Sequence, residues 1–198
     1  MGDIYSDGAQ IYQLLSNGPW ADLHRAFAVA GSSLVTAVRP RDYDIEAILR
    51  AAATINEGFQ GLVLRLLASD YYLDHGRIHE SAVCLNEAGL IYNQSSPAVP
   101  ADLLTVFVFG AAYLCRNSAS AREWWTDMEA KKPTRFNTDY WLAASALHWM
   151  EGDLKEANEC WAKAQSQAQD LPKFGAYDFE RDRCSLLKKA MDEESVPA

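Results

Sequence analysis

The stretch His75 to Cys84 reads HGRIHESAVC and holds two histidines four apart, a glutamate and a thiol. On one helix such a set would bind a divalent metal, as HExxH does when its two imidazoles share a face. Asp70 and Asp74 are also four apart, a spacing that suits paired carboxylates in acid–base chemistry. Such pairs more often lie on a solvated helix face. Neither a GxSxG nucleophile elbow nor a phosphate-cradling glycine loop occurs. The four cysteines, Cys84, Cys115, Cys160 and Cys184, form no CxxC pair, so no zinc knuckle or thioredoxin motif is present. Each falls in an expected helix and reads as a buried free thiol. No cofactor is implied.

The elements that carry these residues are helical. In FQGLVLRLLASDYYLDHG, Phe59, Leu62, Val63, Leu66 and Leu67 follow the i, i+3, i+4 pattern of one helix face. No sustained two-residue alternation points to a sheet. Breaks fall at Gly76, at Asn93 to Pro100, at Asn117, at Lys131 to Thr134, at Gly152 and at Asp170 to Lys173. Ser120 with Glu123, and Asp153 with Glu156, have the spacing of capping boxes. The last helix is expected over about Phe174 to Met191, with Tyr177, Cys184, Leu187 and Met191 near one face.

The helical segments repeat. Leu67 to Ala88 lies over Ala143 to Ala164 without a gap: Ser69 meets Ser145, Gly76 meets Gly152, Glu80 meets Glu156 and Cys84 meets Cys160. Gly110 to Met128 is a degenerate middle copy, one residue short at its turn, with Gly110 in the serine place. This alignment decides the opening motif. His75 falls over Glu151 and His79 over Lys155, both solvent-facing, and Gly76 separates the two rings onto different helices. A metal site is therefore not expected there.

The spacings from Ser69 to Gly110 and from Gly110 to Ser145 are close to the ~34-residue period of tetratricopeptide repeats. The third copy resembles that family residue by residue. Trp141 holds the aromatic place, Ala144 and Ser145 the small places, and Ala157, Trp161 and Ala164 the small, large and small places of the second helix. His148 stands where the family carries Tyr. The expected fold is all-α, an irregular tetratricopeptide-like stack of helical hairpins with a C-terminal capping helix. In that family the first helices line a groove. Carried over, its positions are Leu66, Asp70 and Leu73, then Phe107, Ala111 and Leu114, then Leu142, Ala146 and Trp149. The set is mostly apolar and lacks the Lys and Asn of carboxylate clamps. The implied partner is a protein or an apolar helix, either another chain or this chain's own Tyr43 to Ile55, whose Ile45, Ile48, Leu49 and Ile55 are available for burial. A competing reading is a small-molecule or peptide-sensing domain with a pocket around Tyr72, Tyr113, His148 and Trp149.

Charge narrows the partners. With 27 acidic against 18 basic residues the formal net charge is -9, and no basic face for nucleic acid is evident. The six tryptophans therefore read as packing groups. The apolar run Ala26 to Val38 is too short to span a membrane, which needs ~20 residues. A cytoplasmic protein that does not itself insert into membranes is expected.

The front end resembles a second family. YSDGAQIYQLL (Tyr5 to Leu15) followed by VRPRDYDIEAI (Val38 to Ile48) is similar to the region after the membrane core of bacterial site-2-type intramembrane zinc metalloproteases. Those enzymes carry a zinc-ligand aspartate in an Asp-Gly pair, which Asp7 and Gly8 would match. Arg39, Pro40, Arg41, Asp42 and Asp44 match the turn that follows, with Tyr43 in place of Trp. The resemblance implies a soluble C-terminal tail, at the cytoplasmic face of the membrane if joined to such a protease. HExxH is absent, and one carboxylate cannot hold a catalytic zinc, so the chain is expected to be non-catalytic. Three parts follow: an N-terminal helical segment over 1–57 packing on the repeats, a repeat domain over 58–191 and a disordered tail over 192–198.

Overall fold

The structure is a computed structural model that describes residues 18–95, 99–133 and 136–194. It is all-α: nine α-helices and no strand lie among the described residues. None of these helices is long and apolar enough to cross a membrane. The chain divides into two compact units, Met1–Pro97 and Ala98–Ala198. The division falls within the stretch assigned from sequence to a repeat domain, and the N-terminal segment belongs to the same unit as the first hairpin.

In the first unit α1 spans Pro19–Ser32, with Pro19 at its start, where no amide partner is needed. A 3-10 turn, Pro40–Asp42, leads into α2, Ile45–Thr54, whose N-cap Asp44 accepts from the Ala47 amide at 3.0 Å. On α2 the buried residues Ala47, Ile48, Ala51 and Ala52 form one stripe. It packs on α3, Gly58–Asp74. Two devices bring these helices close. Gly61 admits the end of α2, because a Cβ there would meet the Ile55 carbonyl at 3.0 Å. Arg65 then donates to the Ile55 and Ala52 carbonyls, both at 2.9 Å, satisfying acceptors that α2 leaves open at its end. Leu23, Ala26, Tyr43, Ile48, Ile55, Leu64, Ala68 and Cys84 share this core.

Two expectations need correction here. Leu49 is 42% exposed, so the buried stripe of α2 runs through its alanines instead. On α3, Phe59 is exposed while Leu64 and Ala68 are fully buried, because α2 and α4 cover two sides of the helix. Helix α1 lies within the N-terminal segment, 1–57, for which helix is expected.

The hairpin α3–α4 (α4, Ile78–Ser95) closes through Gly76 at φ 70°, a left-handed position that suits glycine. The Gly76 amide donates to Leu73 and the Arg77 amide to Tyr72, a Schellman motif. Further in, the Ser69 hydroxyl lies 3.0 Å from the Ser81 carbonyl and the Ser81 hydroxyl donates back to Ser69.

The second unit holds α5 (Ala101–Phe109), α6 (Ser118–Ala130), α7 (Thr138–Met150), α8 (Leu154–Asp170) and α9 (Gly175–Glu194). The α7–α8 hairpin repeats the turn bonds of the first and one of its two buried serine bonds, the other being lost because Ala157 stands in the place of Ser81. Gly152 sits at φ 84°, its amide donates to Trp149, and the Asp153 amide donates to His148. Ser145 donates to the Ala157 carbonyl at 2.8 Å, as Ser69 does to Ser81. Between α5 and α6 the last turn widens into a π-helix, Gly110–Leu114, with Cys115 donating to Gly110 and Arg116 at φ 52° in the glycine's place. The residue missing from the middle copy is lost at this turn. Helix α6 starts at Asn117, whose side chain accepts from the Ser120 amide. Ser120 is thus the donor in that cap and not the N-cap itself. Helix α9 continues to Glu194, three residues into the expected tail; residues 195–198 lie outside the described ones.

Candidate functional site

The residues singled out from sequence are not left facing solvent together. Leu66, Leu73, Phe107, Ala111, Leu142, Ala146 and Trp149 are all buried, and Asp70 and Leu114 are half-buried. The groove expected along the first helices is therefore filled with core side chains. Apolar residues at these positions gain more from burial than from lining an open channel. Helix α2 meets α3 at Gly61 and Arg65 and shares a core with Leu64 and Ala68. Of the residues named for the alternative pocket, Tyr72 belongs to the first unit, with Arg77 over its ring at 4.7 Å. In the second, Tyr113 stacks on Phe109 at 5.2 Å, Arg116 covers Trp149 at 4.1 Å, and His148 lies with Glu156 and Cys160. In HGRIHESAVC both histidines are exposed, and His75 turns back to the Tyr71 carbonyl at 3.0 Å. Asp7 and Gly8 lie outside the described residues.

Asp70 and Asp74 do not act as a pair. The Asp74 side chain is 2% exposed and receives both Arg39 and Arg41, each through Nη2 at 2.6 Å, with the Arg41 amide adding a third partner. Burial works to raise its pKa, but the hydrogen bonds from Arg41 and Arg39 win and lower it to about 2. Every residue of RPRDYD has a structural task. Arg39 and Arg41 hold the end of α3, Pro40 and Asp42 build the 3-10 turn, Tyr43 enters the core and Asp44 caps α2.

What the turn creates is a cleft between α1 and α2 of about 450 Å³. Ala26, Tyr43, Ala47 and Ile48 form its floor, and Asp22, Arg25, Asp44 and Arg50 stand around it. Asp22 is buried and bridges both helices, accepting from Arg25 at 3.1 Å and from Arg50 at 3.3 Å. Burial pushes the Tyr43 phenol upward, against a hydrogen bond with Ser33, so it stays neutral at physiological pH. Val29 lines the cleft, and Leu34 and Val35, 67% exposed in the latter case, follow α1. Sequence reasoning missed the cleft because its two walls come from helices that share no motif. Its signal was the apolar run Ala26 to Val38, weighed only as a membrane span.

Burial pushes the Cys84 and Cys184 thiols up to about 11 and raises Cys160 as well, which favours their protonated forms in the absence of a bound cation. No family model, curated protein or solved structure matches the chain.

Proposed function

We propose that this chain is a non-catalytic helical interaction or regulatory domain whose docking point is the α1–α2 cleft. The observation that carries the reading is that cleft's make-up: an apolar floor of about 450 Å³ ringed by two acidic and two basic side chains. Its size falls in the ~300–1,000 Å³ range of binding pockets. An apolar helix of a partner protein can seat two or three side chains on Ala26, Ala47 and Ile48, while its polar flank meets Asp22, Arg25 and Arg50. The resemblance of Arg39 to Asp44 to the region after a protease membrane core supports a role as the soluble tail of an intramembrane zinc metalloprotease. The adjacent Arg39–Arg41–Asp74 clamp would then set how the cleft is presented.

Photo-crosslinking from position 29 in cells tests the docking point. A single stoichiometric protein adduct, lost on Ala47→Glu, is the expected result. Labelling that is diffuse, or unchanged by Ala47→Glu, overturns it. An upstream reading frame with HExxH inside hydrophobic helices would support the protease connection.

A further inference from the structure

We infer that His148, Glu156 and Cys160 form a binding site for one divalent transition-metal cation of the zinc class, with one coordination position open. His148 lies in the last turn of α7, and Glu156 and Cys160 lie one turn apart on α8. One ligand atom from each, a ring nitrogen, a carboxylate oxygen and the sulfur, all lie within 4.8 Å of one another. A tetrahedral zinc with sulfur at about 2.3 Å and N and O ligands at about 2.0–2.2 Å places its ligand atoms about 3.5 Å apart. Closing that difference requires the distance between any two of these atoms to shorten by at most about 1.3 Å.

The three groups are also held ready. Cys160 is 2% exposed, with its sulfur 3.9 Å from Glu156 Oε1. Among the described residues no hydrogen bond reaches either ring nitrogen of His148, and no ion pair reaches Glu156. The reason lies in the hairpin. A glutamate three residues after an N-cap usually turns back to the N-cap amide. Here the Asp153 amide is already given to the His148 carbonyl at 3.0 Å. That bond leaves the Glu156 carboxylate to face Cys160 and fixes His148 against the start of α8.

The repeat supplies its own comparison. In the first hairpin the same places hold Tyr72, Glu80 and Cys84, and Arg77 neutralises Glu80 at 2.7 Å. In the middle hairpin Trp124 takes the cysteine place. Only the third hairpin joins imidazole, free carboxylate and thiol. A thiol that ligates a cation does so as the thiolate, so its proton leaves to solvent on binding. The bound cation would tie α7 to α8 and present its fourth position to water or to an exogenous ligand.

The test uses the full chain, stripped by chelator, with zinc titrated in competition against a chromophoric chelator and cobalt as the spectroscopic probe. One zinc per chain and a thiolate-to-cobalt charge-transfer band are expected. His148→Tyr installs the first hairpin's residue, and Glu156→Gln preserves shape; each should weaken binding at least about tenfold with the circular dichroism unchanged. Cys160→Ser should also abolish the band, while Cys84→Ser leaves it intact. No binding at micromolar zinc, or binding and a band that survive His148→Tyr and Cys160→Ser, overturns the site.

Discussion

At the scale of single residues, Asp74 is the clearest case of a side chain whose charge holds the fold. Its carboxyl has an ordinary value of 3.8 and falls to about 2 in the folded chain. The lowered value means the folded state prefers the ionised form, so the stabilisation is present above about 3.8 and is lost as pH falls through about 2. The shift corresponds to roughly 2 kcal/mol before screening at the half-exposed Arg41. Asp74→Asn should therefore lower stability by about 2–4 kcal/mol at pH 7 and flatten the acid slope, read by denaturant titration at pH 7, 4 and 2. An unchanged midpoint at pH 7 would refute the clamp. Glu180 carries the opposite sign. Burial, then repulsion from Asp139, raises it above its ordinary 4.5 despite Arg183 and Arg181. The folded state resists its ionisation, so stability falls as pH rises above that value. Glu180→Gln should leave the melting temperature unchanged near pH 4 and raise it at pH 8. Neither role was legible in the sequence. Asp74 looked like one of a solvated pair because its partners lie over thirty residues away in the chain, and Glu180 gave no signal. The His148, Glu156 and Cys160 cluster was equally hidden, since its members come from two helices and form no compact motif. The one clue is His148, which stands in a tyrosine place of the tetratricopeptide pattern.

At the scale of elements, the recurrence of one hairpin design was the most readable feature. Gly76 and Gly152 end their helices with the same two amide bonds, and Ser69 and Ser145 make the same buried bond across to the next helix. These contacts depend on short spacings, which sequence alignment preserves. A Cβ added at Gly152 would meet nothing within 4 Å, so Gly152→Ala isolates the cost of the left-handed backbone. The expected loss is about 1–2 kcal/mol by thermal or chemical unfolding. Ser145→Ala should cost about 1 kcal/mol through the Ala157 carbonyl it leaves without its hydroxyl partner. A neutral Gly152→Ala would mean that the turn relaxes out of the positive-φ region. What alignment could not supply was the cap of α6, where Asn117 outcompetes Ser120, or the face of α3 that meets α2. Both are settled by packing among helices rather than by the period of any one of them.

At the scale of the molecule, two units of roughly 100 residues are each large enough to bury a core of their own. In the second, Leu104, Phe107, Met128, Leu142, Leu147, Leu187 and Met191 are fully buried, and Trp161 ties α8 to the Cys184 carbonyl of α9. The proposed metal ligands and the bonds that orient them all belong to this unit, whereas the α1–α2 cleft belongs to the other. The two activities should therefore separate on the chain. A fragment of residues 98–198 should show helical circular dichroism, unfold cooperatively and keep the zinc affinity of the full chain within a few fold. A fragment that stays unfolded would show that the second unit's core depends on the first. A folded fragment with zinc affinity lost would mean that the first unit helps to hold the histidine, carboxylate and thiol in reach of one another.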